Sequence, residues 1–481
     1  MQKTKKRAVS VLLSVLLLTA LLTAIPMTVF AAGTEYYIGG TDPGGVDWYV
    51  DLDALMLDIS GSFTDGDSVT LLGDISFSDC LYVDVDVTID LNSFDLTIDG
   101  VSSVDYALDL DTSSELQVYG PGTFNINGAG ADDGAVRVGS AGKLVVSDAV
   151  MEIEGGSVFG LLVLNTGIAE IDGEGEINIS DSFTGVRAMR GSARVSSVSA
   201  TGTGSRGVHA DNGSFVTADS VTVTGTDAYG IVANVGSEVN AGSVAVSGQG
   251  SFGVEAQDGS KVSVGSIIAS GAVSIGISAQ NTDTVVDVSG NVRSEGSAVV
   301  AFDEAKVTVG GFAESTNLVS SSGAVYCNDA FVEVKGNVTA KGSPDFTGVL
   351  CDGGEVRIGG SVISDDFGVV VFGGGGEVTV DGAITVPSGG TYIEIFGIEK
   401  SKSQNTKPTT KAGYFTYTEN NDNIIGTVWV KAPASSGSSS SSTSEVPKTG
   451  DSTNMVSWGV ALALSVMGIV SLPIAKKKMS K

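Results

Sequence analysis

Histidine is almost absent from this chain: there is one, His209, in 481 residues. A metal centre or proton relay built on paired imidazoles is therefore excluded. Cysteine is nearly as scarce. Cys80, Cys327 and Cys351 stand far apart, so neither a disulfide framework nor a thiolate metal cluster is implied. Positive charge is thin, 26 Lys and Arg against 56 Asp and Glu, for a net charge of −30. Phosphate binding needs clustered cations, so nucleic acid is excluded as a partner. The acidic excess suits solubility, weak attraction of divalent cations or life at a charged surface. Proline, aromatics and strong helix formers are also few.

What is abundant is glycine, 66 residues, with Val, Ile, Thr, Ser and Asp. That mixture favours short strands separated by tight turns. The length exceeds one ordinary core, so either several domains or one elongated repeat is expected.

The repeat is visible. "GVHADNGSFV" at Gly207, "GIVANVGSEV" at Gly230, "GVEAQDGSKV" at Gly253 and "GISAQNTDTV" at Gly276 follow one another at 23 residues. The series runs on from Val299, Val325, Gly348 and Gly368, and back through Gly185, Gly160, Ala135 and Ala107. Each repeat holds three β-like runs and no helix, which excludes βαβ units and predicts a coil with one repeat per turn. Alternation assigns two columns to the interior. One is Val208, Ile231, Val254, Ile277, Val300, Tyr326, Val349 and Val369; the other is Ala210, Ala233, Ala256, Ala279, Phe302, Asn328, Cys351 and Val371. The intervening column, with His209, Val232, Glu255, Ser278, Ala301, Cys327, Leu350 and Val370, faces out. His209 is thus expected to be an exposed rung residue with no chemistry. Cys327 and Cys351 fall on columns of opposite orientation, which argues against a bridge.

The pattern resembles the right-handed, single-stranded parallel β-helix of pectate-lyase-like and autotransporter-like proteins, and the handedness comes from that resemblance. About 12 rungs of about 23 residues would occupy 79–398, a rod on the order of 60 Å. Residues 32–78 would be an N-terminal cap, with a short helix through Leu52, Leu55, Met56 and Ile59. Residues 399–432 would hold a polar linker and a terminal hairpin.

Both ends carry addresses. Residues 1–31 have a basic start, an apolar run and small residues before a cut between Ala31 and Ala32, the organisation of a secretory signal peptide. Residues 433–445 are a Ser-rich spacer. Beyond them, 446–481 join "VPKTG", an apolar span at 455–475 and Lys476 to Lys478. This order resembles the LPxTG-type sorting signal of Gram-positive cell-wall proteins, with Val446 where Leu is usual. The resemblance implies that a sortase recognises Val446, Pro447, Lys448, Thr449 and Gly450. It would cut between Thr449 and Gly450 after a transient membrane span and join Thr449 to peptidoglycan. The expected location is the cell wall.

Candidate chemistry is sparse. The row Asp211, Asn234, Gln257, Gln280, Asp303, Asp329 and Asp352 reads either as a track for Ca²⁺ or as a turn ladder. Amides and acids interchange along it, which favours the ladder. Asp84, Asp86, Asp90 and Asp99 read as a solvated edge, and Asp132–Asp133 and Asp365–Asp366 as acidic turns. The pectate-lyase-like resemblance implies polysaccharide cleavage. However, the Gly-His-Gly and Arg-x-Lys segments of polygalacturonases are missing. Arg137, Arg187, Arg190, Arg194 and Arg206 have no matching acidic cleft. No catalytic, cofactor or metal residue is assigned. The expected function is a wall-anchored rod for adhesion to host glycans or matrix proteins, or for surface structure. The alternative is a wall-bound polysaccharide lyase or glycoside hydrolase.

Overall fold

The computed structural model describes residues 33–318, 323–342 and 346–433. Ala31, Ala32, Val446 to Gly450 and the apolar span at 455–475 lie outside the described residues. Among those described, no helix is long and apolar enough to cross a membrane.

The described chain forms an all-β parallel solenoid of about 13 turns, one more than the repeat count predicts. The strand Arg206–Asp211 pairs in parallel with Tyr229–Ala233, then Phe252–Gln257, then Ile275–Gln280. On the next side Phe215–Thr224 pairs with Glu238–Ser247 and then Lys261–Ser270. Each of these ten-residue strands serves two faces. Val216 and Ala218 point inward, Asp219 and Ser220 interrupt the alternation, and Val221 and Val223 resume it. Two successive outward residues turn the corner, giving three sides to a turn.

The interior is narrow and built from small aliphatic files. Val208, Ile231, Val254 and Ile277 stack on one side, with Ala210, Ala233, Ala256 and Ala279 beside them, all fully buried. Burying each Val or Ile side chain contributes roughly 1.5–3 kcal/mol. The leading glycine follows from this narrowness. A Cβ on Gly230 would lie 2.4 Å from the Val244 methyl on the opposing strand.

Two rungs differ from the predicted columns. Ile277 pairs with Val299 rather than Val300, and Val299 with Val325 rather than Tyr326. The step from Gly276 to Ala298 is one residue shorter than those before it, and a shift of one residue exchanges inside for outside. Val300 and Tyr326 therefore belong to the outer column, while Ala301 and Cys327 belong to the core. Cys327 is the direct Cα partner of Cys351, both fully buried, so their predicted opposite orientation is corrected.

At the N-terminal end Leu52–Asp58 is helical, with the Asp51 carboxylate accepting from the Ala54 N–H at 2.9 Å. Leu52 and Leu55 are buried in the same core as the first turns, and Met56 and Ile59 pack against it. The parallel ladders already include Asp67–Leu71 and Ile75–Phe77, ahead of residue 79. At the other end Tyr414–Asn421 and Ile424–Lys431 form an antiparallel hairpin. Its second strand continues the ladder in parallel with Gly376–Val380.

Candidate functional site

Chemistry-bearing side chains gather on two outer faces. The first is the outside of the leading-strand sheet, where Arg187, His209, Val232, Glu255 and Ser278 stack in register. Here the expectation of an exposed His209 is corrected: it points outward but is only 8% exposed. Arg187, one rung earlier, covers it. Arg187 Nη1 donates to His209 Nδ1 at 2.7 Å, and Nη2 donates to Asp211 Oδ2 at 2.7 Å. A guanidinium can only donate, so Nδ1 is the acceptor and the ring proton sits on Nε2. Nε2 is 3.1 Å from Asp211 Oδ2. Burial, reinforced by Arg187 and Arg206 and opposed by Asp211, pulls the His209 pKa down to about 4. The histidine is neutral and both its nitrogens are engaged.

This has a consequence for stability. Unfolded histidine titrates near 6.5. Between about pH 6.5 and about pH 4 the unfolded chain binds the proton and the folded chain does not. The His209 contribution is fully present above pH 6.5 and is lost as pH falls through 4. It is worth on the order of 3 kcal/mol. The urea midpoint of the native protein should therefore drop more between pH 7 and pH 4.5 than that of His209→Gln. Equal drops would contradict the neutral assignment.

Asp211 also ends a one-way chain of amides. Asn234 Nδ2 donates to Asp211 Oδ1 at 3.0 Å, Gln257 Nε2 to Asn234 Oδ1 at 2.8 Å, and Gln280 Nε2 to Gln257 Oε1 at 2.6 Å. The turn-ladder reading of this row holds through Gln280, with side chains satisfying one another rather than the backbone. After that the register change places Phe302 and Asn328 in the row instead of Asp303 and Asp329. Those two aspartates occupy left-handed turn positions, φ 51° and 47°. Four acids of the other rows accept hydrogen bonds that hold the chain in place. Asp86 accepts from the Glu115 N–H, Asp90 from the Asn92 N–H, and Asp99 from the Asn127 amide. Asp365 accepts from the Gly342 N–H. Among the described residues no group of three or more His, Cys, Asp or Glu is placed to hold a metal ion.

The arginines on this face are held locally. Arg137 makes a two-pronged contact with Asp109 at 2.6 and 2.7 Å and lies over the Tyr106 ring. Arg206 stacks on Tyr229, whose ring lies nearly parallel to that of Phe252 at 5.1 Å between centroids. Planar groups thus repeat at the position just before the leading glycine on three successive rungs. Sequence spacing could have shown this, because Arg206, Tyr229 and Phe252 are each 23 residues apart.

The second face, which the sequence reading missed, is a groove along the middle sheet. Thr217, Asn240, Ser263, Asp287 and Thr308 stand in register, one per turn, beside a floor that includes Gly242 and Gly265. Its volume is about 660 Å³. Lys335 lines its end and also lines a second cavity of about 310 Å³, which includes Glu333, Arg357, Asp381 and Tyr414. The outer column thereby continues from hydroxyls, an amide and one carboxylate into charged and aromatic side chains near the terminal hairpin.

Fold and faces together define a parallel β-solenoid with a periodic polar groove. Against known proteins, no family model, no curated protein and no solved structure matches the chain.

Proposed function

We propose that this is an exported surface protein, joined to peptidoglycan by a sortase at Thr449, whose coil serves adhesion or surface structure. The coil would wind right-handed, the sense strongly favoured for parallel crossovers. The carrying observation is the in-register groove, one hydroxyl, amide or carboxylate per turn over five turns. Repetition suits an extended partner such as a host glycan or matrix protein chain, because each turn offers the same contact again. Asp219 and Asp287 in this groove lie three turns apart, roughly 14 Å at ~4.8 Å per turn. That exceeds the roughly 5–9.5 Å between the carboxyl groups of glycosidases.

The alternative, a wall-bound polysaccharide lyase or glycoside hydrolase, is favoured by one feature. In the smaller cavity Glu333 and Asp381 lie with Arg357, Lys335 and Lys411. An assay on immobilised glycans and matrix proteins, run beside product release from acidic polysaccharides with and without Ca²⁺, separates the two. Adhesion predicts retention without product. Ser263→Tyr, which places a ring in the groove from an exposed position, should then weaken retention at least tenfold with unchanged melting. Product release lost in Asp381→Asn would establish the alternative.

A further inference from the structure

Cys327 and Cys351 occupy the same inward column on successive turns, between Ala301 and Val371. They are direct Cα partners, and neighbouring strands lie about 4.8 Å apart. That is inside the roughly 4.4–6.8 Å between Cα atoms that a disulfide spans. Both side chains are fully buried. Each thiol approaches a main-chain oxygen: Cys327 Sγ that of Ala330 at 3.3 Å, Cys351 Sγ that of Gly353 at 3.2 Å. Thiols are weak donors, so losing these contacts costs little. The third cysteine does not compete. Cys80 precedes Leu81–Val83, roughly ten turns earlier on the same ladder at ~4.8 Å each.

We propose that Cys327 and Cys351 form a disulfide that staples one turn of the coil to the next. The staple rests on the export reading above, which delivers the chain to an oxidising compartment. One thiolate attacks a sulfur of a disulfide donor such as oxidised glutathione, giving a mixed disulfide and one released thiol. The second thiolate then displaces the other half of the donor. The S–S bond of the donor breaks, that of the protein forms, the donor takes two electrons, and the two cysteine protons pass to the released thiols. The buried thiols admit no donor once the coil has closed, so oxidation accompanies folding. A Cβ at Gly376 would stand only 2.8 Å from Cys351 Sγ. The sulfur is packed too closely for a retained glutathione, and the exchange resolves to the internal bridge.

The test uses the full chain refolded in a glutathione redox buffer, acid-quenched, alkylated and digested. The expected product lacks two hydrogens, links the Cys327 and Cys351 peptides, and leaves Cys80 alkylated. It should melt several degrees higher than Cys327→Ala and Cys351→Ala. Both variants should fold, because alanine is the residue at this position in Ala279 and Ala301. Reductant should break the link only after unfolding. Absence of the link, or equal linkage to Cys80, would overturn the proposal. Chain quenched directly from producing cells forms a second arm. Linkage in the refolded chain but not in that from cells would leave the staple standing and reject the export reading.

Discussion

Gly248→Ala should open the coil, lowering its stability by about 4 kcal/mol or more. The backbone there has φ of 138°, a region that L side chains rarely adopt. A Cβ would also lie 2.0 Å from the carbonyl oxygen of Gly225 on the preceding turn. That oxygen cannot move aside, because it belongs to the stack: Gly225 and Gly271 repeat the same conformation on either side. A solenoid couples each turn only to its neighbours, so the damage should be centred on the turns beside residue 248. Hydrogen exchange would show protection lost first there, while Ser247→Ala, on a partly exposed side chain, should change little. Native-like protection around Gly248→Ala would mean that these turns do not stack as described.

The second large effect concerns address rather than fold. Thr449→Ala, in a Gram-positive host with its own sortase, should abolish covalent attachment. The wild-type chain should be released from washed walls by muramidase and carry peptidoglycan fragments on its C-terminus. The variant should be found in the membrane and medium with its tail uncut. The effect would be large because Thr449 is a residue the sortase would have to recognise before cutting at its carbonyl carbon. Val446→Leu, which restores the usual first residue, should leave attachment intact or improve it. A wild-type chain extracted wholly by detergent would remove the wall-anchored reading and leave the solenoid untouched.

The sequence made the solenoid legible because one physical constraint recurs on every turn. The core admits Val or Ile in one file and Ala in the next, so Val208, Ile231, Val254 and Ile277 recur at one spacing. The amide ladder from Asp211 to Gln280 was legible for the same reason. The register of the columns was lost at a single step. The shorter interval before Ala298 displaced the alignment by one, which inverted Ala301 and Cys327 and concealed the cysteine pair. The burial of His209 is illegible in sequence for another reason. Its exposure depends on a guanidinium contributed by the turn before it, and Arg187 is 22 residues away. The groove was invisible because it arises from how the sides of each turn meet, a shape that no single column records.

The in-register parallel coil underlies the groove, the ladder and the staple alike, and a distance measurement tests it most directly. Glu238 and Glu377 are exposed and lie on one outward ladder through Lys261, Val285, Lys306, Phe331 and Glu355. Spin labels at Glu238→Cys and Glu377→Cys, in a chain whose native cysteines are replaced by alanine, span six steps. The predicted separation is roughly 29 Å, at ~4.8 Å per step, and moving the second label from Glu377 to Glu355 should shorten it by one step. A separation that does not fall with that move, or one set by chain length rather than by turn number, would contradict the coil.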